Sequence, residues 1–106
     1  MMNSNSLNEK IEIRKNMLRR VKSGLIERLN LYKSINQIDD DTPLFGNGLK
    51  LDSVDATEIL VFLNDEFNIQ VTEGDDPSYM RTINNLVTFI LDRQKRDKEK
   101  VAKETH

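Results

Sequence analysis

A chain of 106 residues with no cysteine has room for one modest core, and it excludes a disulfide framework, a thiolate nucleophile and a cysteine-ligated metal. Its net charge of −2 hides segregation: residues 1–38 hold eight Lys/Arg against three Asp/Glu, residues 39–76 hold one lysine against eleven acids, and residues 77–106 hold seven against four. An acidic middle third repels nucleic acid and attracts basic protein surfaces, or is simply a solvated face, and no apolar run approaches the ~18 residues that span a bilayer.

The first predicted element runs from about Leu7 to Tyr32. Leu18, Val21, Leu25, Leu29 and Tyr32 recur at three- and four-residue steps and form one helical stripe. Met17 and Ile26 widen it, and Arg14, Lys15, Arg19 and Lys22 fill the other side. Gly24 interrupts this helix, either to permit close packing or as a weak point.

A long connection follows, from Lys33 to Leu51. Asp39-Asp40-Asp41-Thr42-Pro43 and Gly46-Asn47-Gly48 carry turn chemistry. Ile35, Ile38, Leu44, Phe45, Leu49 and Leu51 punctuate it, so the loop is expected to pack on the domain.

Asp52 then reads as the N-cap of a second helix ending at Phe67, with Asp55 and Glu58 where the helix dipole favours acids. Ala56, Ile59, Leu60, Leu63 and Phe67 line one face. Val54, Thr57, Glu58, Val61 and Asp65 line another, which reads as a docking surface or as a secondary packing face. Asp76 and Pro77 mark a fresh start, with a short helix over Ser78–Arg81. Thr82 caps a last helix whose stripe is Ile83, Leu86, Val87, Ile90 and Leu91, with Phe89 beside it. The pattern predicts an all-α bundle of three main helices and one short third helix, joined by a long first loop. One domain over residues 7–94 is expected, with flexible or frayed ends at 1–6 and 95–106. The start lacks the layout of a signal peptide, and a cytoplasmic monomer is expected.

Catalytic and metal sites are not expected. The single histidine is the last residue, His106, so the usual nucleophile–base pairs are missing. The positions flanking Ser53 are Leu51 and Asp55, not the glycines of a hydrolase elbow. An EF-hand register begun at Asp39 or Asp41 meets Pro43 where an acid is required. Ser53 stands apart, because it follows a cap at the first turn of a helix, where a phosphate would meet free N–H groups. On position alone it also reads as a serine that merely starts a helix.

The run from Gly48 through Asp52-Ser53-Val54-Asp55 to Leu60 resembles the attachment motif of acyl carrier proteins, and Asp65-Glu66-Phe67 resembles the end of that family's second helix. The resemblance covers about Leu7 to Arg93 and is strongest from Leu44 to Phe67. It implies a four-helix acyl-carrier-like bundle with Ser53 as the serine that carries 4'-phosphopantetheine and Asp52 as the motif acid. A phosphopantetheinyl transferase (holo-acyl-carrier-protein synthase), using Mg²⁺, would move the arm from coenzyme A. The arm's thiol would hold fatty acyl, polyketide or aminoacyl groups, and the carrier itself would catalyse nothing. Val54, Asp55, Glu58, Val61 and Asp65 would face acyl-transferring or condensing enzymes that present basic patches. Val54 stands where leucine is commoner and Asn64 where an acid is frequent, and the Phe45–Leu49 loop resembles dedicated carriers more than the housekeeping one. The competing reading is an unmodified helical domain that binds basic proteins through its acidic second helix.

Overall fold

Three α-helices carry the fold in a computed structural model that describes residues 2–72 and 77–104, with side chains over 7–72 and 77–96. Helix α1 spans Met2–Leu29, α2 spans Ser53–Phe67 and α3 spans Ile83–Glu104. Short 3-10 turns occupy Ile35–Gln37 in the long first loop and Pro77–Met80 before α3. The second of these is the short third element expected over Ser78–Arg81 with Pro77 at its first position; it begins at Pro77, is wound more tightly and ends at Met80. The cap expected from Asp76 lies outside the described residues, as does His106. Among the described residues the sheet-like pairing is one isolated bridge, Pro43 with Thr82.

The stripes meet in one core. Val21 and Leu25 of α1, Leu44 of the loop, Ile59 and Leu63 of α2, and Ile83, Leu86, Val87 and Ile90 of α3 are all fully buried. Each such side chain stabilises the fold by about 1.5–3 kcal/mol. Asn30 ends α1 in the left-handed conformation, at φ 53°, and the Leu31 amide donates back to the Ile26 carbonyl at 3.0 Å. This cap breaks the helical period before Tyr32, which is wholly exposed and leaves the expected stripe. Asn68 ends α2 the same way, at φ 54°.

The buried arc of α2 also departs from expectation. Phe62 is buried and Leu60 is exposed. Phe62 reaches α1, where its ring fills the space left by the missing β-carbon of Gly24. Leu60 sits at the rim and instead lines a groove of about 350 Å³ with Val61, Ile69 and Val71. Gly24 is thus a close-packing glycine. The two helices run antiparallel, because Arg20 meets Glu66 while Arg28 meets Glu58.

The long loop is tied at both sides, as its apolar residues led us to expect. Lys22 of α1 holds Asp40 at 2.7 Å. Backbone amides of Ile83 and Asn84 donate to the carbonyls of Thr42 and Asp40, and the Leu44 amide donates to the Arg81 carbonyl. Arg14 adds hydrogen bonds to the side chains of Asn84 and Thr88 at the start of α3.

Candidate functional site

The turn that delivers Ser53 is built by the residues before it. A β-carbon on Gly48 would fall 1.9 Å from the Pro43 carbonyl oxygen, so only glycine fits there. The next amide, Leu49, donates to that same oxygen at 2.9 Å, and the Leu51 amide donates to the Leu44 carbonyl at 3.0 Å. Lys50 between them takes the left-handed conformation, at φ 57°. Leu51 is buried and anchors the chain one residue before the helix cap.

Asp52 caps α2 as expected. Its carboxylate accepts the Asp55 amide at 3.0 Å, and the Asp55 carboxylate accepts the Asp52 amide at 3.0 Å. This reciprocal box leaves the Ser53 and Val54 amides, and the Ser53 hydroxyl, without a protein partner among the described residues. Ser53 is exposed at the positive end of the helix. Each neighbouring carboxylate holds one amide of the cap, and among the described residues no histidine, cysteine or other side chain hydrogen-bonds the Ser53 hydroxyl. Chemically the site is an accessible hydroxyl with anion-accepting amides, suited to being modified by another enzyme rather than to attacking a substrate.

An apolar cavity of about 630 Å³ begins one helical turn further on, lined by Pro43, Phe45, Ala56, Tyr79 and Met80 among others. Tyr79 stacks on Phe89 with ring centroids 4.4 Å apart, which fixes one wall. A second cavity of about 520 Å³ lies between α1 and α2 and shares no lining residue with the first turn of α2.

The other candidate residues are distributed along α2. Val54 is 74% exposed and Val61 42%, so both are open to a partner and neither is core. Glu58 and Asp65 are not free. Arg28 of α1 bonds Asp65 at 3.1 Å and Glu58 at 3.4 Å, and its guanidinium lies 5.5 Å from the Phe62 ring centroid. Burial pulls the Arg28 pKa down, but the hydrogen bonds and charges of Asp65 and Glu58 outweigh it and hold the guanidinium above its ordinary value. Any stability from that rise is present below the ordinary arginine value and lost only at still higher pH, so it is constant through the neutral range. Arg20, eight residues earlier, pairs with Glu66 at 3.4 Å and lies 4.5 Å from the Phe67 centroid. Periodicity within one helix cannot reveal such pairs; their one signal was two arginines about two turns apart on the helix that must pack against α2.

No three metal-ligating side chains cluster among the described residues, and no described helix is long and apolar enough to cross a membrane. The profile of a family described as "Phosphopantetheine attachment site" matches residues 19–90. The chain belongs to the acyl carrier protein family. It is 32% identical to the acyl carrier protein of Chlamydia caviae over 74 residues, covering 70% of this chain and 91% of that one. It is 31% identical to that of Azobacteroides pseudotrichonymphae over 71 residues, covering 67% and 80%. The fold matches a solution NMR structure of a holo acyl carrier protein from Nitrosomonas europaea with a TM-score of 0.62 and 23% identity, covering 74% of this chain and 95% of that one. Proteins of this family are carriers and not enzymes, and covalent 4'-phosphopantetheine is the prosthetic group that goes with membership. Phosphopantetheinyl transferases and acyl-handling enzymes are accordingly its class of partners. The exposed hydroxyl and the free first-turn amides of α2 fit a phosphodiester-linked group.

Proposed function

We propose that Ser53 is the attachment residue and that the chain shuttles aliphatic acyl groups between enzymes of fatty-acid or polyketide-type biosynthesis. The observation that carries this reading is the exposed Ser53 hydroxyl at the capped first turn of α2, beside two amides that have no partner among the described residues. The bound arm supplies a thiol that holds acyl groups as thioesters. Asp52 fixes the helix start, and through it the direction of the Ser53 side chain. The 630 Å³ cavity, whose apolar lining of Pro43, Phe45, Ala56, Pro77, Tyr79 and Met80 is joined by Arg81 and Thr82, supports an aliphatic cargo. Val54, Asp55 and Val61 form the face presented to partners, and Glu58 and Asp65 lie along it in contact with Arg28. The working unit is a cytoplasmic monomer built on residues 7–94, with no role for nucleic acid.

The variant Ser53→Ala tests the assignment. It is expected to keep the wild-type circular dichroism spectrum and to gain no mass with coenzyme A, Mg²⁺ and a phosphopantetheinyl transferase. A variant that still acquires the arm would move the site elsewhere, and a wild-type protein that never acquires it would favour an unmodified interaction domain.

A further inference from the structure

The acids of α2 fall into two groups. Among the described residues, Asp52 and Asp55, beside Ser53, bond the amides of their own helix turn and no cation pairs with them. Glu58, Asp65 and Glu66 are met by Arg28 and Arg20 of α1. Arg28 is the more firmly placed of the two arginines. Its side chain is 25% exposed against 53% for Arg20, and it is held by two carboxylates and a buried ring. A basic residue from a partner that sought Glu58 or Asp65 would find that guanidinium already in place. It would have to displace it or suffer its repulsion at short range.

We propose that Arg28 is a specificity-determining residue of the α2 recognition face. It masks Glu58 and Asp65, disfavours enzymes that dock through basic residues on that half of the helix, and leaves recognition to Val54, Val61 and the acids beside Ser53. The masking is electrostatic and surface-near, so its effect is modest and sensitive to salt. The inference rests on the reading of Ser53 as the loaded residue.

The test uses the full chain as substrate for a holo-acyl-carrier-protein synthase with a basic docking surface, with coenzyme A and Mg²⁺. Wild type is compared with Arg28→Gln and with Arg28→Met, which places an uncharged apolar side chain beside Phe62. Both variants are expected to lower KM by about twofold to fivefold at low salt, the range of one or two exposed ion pairs, with kcat unchanged. The gain should disappear at high salt and in a Glu58→Gln, Asp65→Asn background. An unchanged or raised KM in folded variants would overturn the proposal and leave Arg28 a packing residue. Should neither variant fold, Arg28→Lys decides, because a point charge without the guanidinium fork holds two carboxylates less well: a KM lowered at low salt supports masking, and an unchanged or raised KM overturns it. Absence of the arm from every protein, while a control carrier loads, would overturn the Ser53 reading and this inference together; loading with equal KM overturns the inference alone.

Discussion

The ring of Phe62 on α2 occupies the space that a β-carbon on Gly24 of α1 would fill, with ring Cε1 2.4 Å from that position. The two helices therefore approach at a point where one side chain is absent and the other is large. Alanine has the higher helix propensity by about 1 kcal/mol, yet here it would push a buried ring out of place at about 1–3 kcal/mol. Gly24→Ala is expected to lower stability despite the propensity gain, read as a lower urea midpoint. Adding Phe62→Leu should recover part of the loss, because the shorter side chain vacates the contested space. A stabilised Gly24→Ala protein would show that the helices are free to separate.

Leu60 and Phe62 should separate in the same assay. Leu60→Ser is expected to stay within about 0.5 kcal/mol of wild type, because Leu60 is a rim residue. Phe62→Ala should cost about 3–5 kcal/mol as a core truncation. The reverse ranking would restore the buried face read from spacing alone.

The stripes on α1 and α3 and the Asp52 cap were legible because each is local. Val21 with Leu25, and Ile83 with Leu86, Val87 and Ile90, announce themselves by helical period, and a capping acid needs only its own first turn. Tyr32 was misplaced because a single asparagine, Asn30, entered the left-handed region and ended the period two residues earlier. Leu60 was placed on the apolar face and Phe62 was left out because both lie at edges of the apolar arc, and the position of Gly24 on another helix decides between them. Arg28 escaped notice for the same reason. Its value depends on which turn of α1 faces which turn of α2, and periodicity within either helix is blind to that. The acidic face looked more available in the sequence than it is in the fold.

The loop before Ser53 makes a stability prediction of its own. Lys22 is nearly buried and its ammonium depends on Asp40. Asp40→Asn removes the charge partner and is expected to cost about 1–2 kcal/mol, with faster hydrogen exchange at the amides of Ile83 and Asn84. Lys22→Met should cost less, because an apolar side chain of similar length suits that site. Equal losses would mean that the pair is a surface contact.

The turn itself is constrained at Gly48 and strained at Lys50. Gly48→Ala is expected to destabilise by about 3 kcal/mol, since the new β-carbon meets backbone at Pro43. Lys50→Gly should stabilise by about 1 kcal/mol by relieving the left-handed conformation. Thermal midpoints moving in these opposite directions check both, and a loss in Lys50→Gly would show that the lysine side chain has a contact worth more than the strain.

The most direct test of the carrier assignment is the intact mass of the purified wild-type protein before and after incubation with coenzyme A, Mg²⁺ and a broad-specificity phosphopantetheinyl transferase. A gain of one phosphopantetheine mass, mapped to the peptide that holds Ser53, is the expected result. No gain, with a control carrier loading in the same tube and no arm already present, would contradict it.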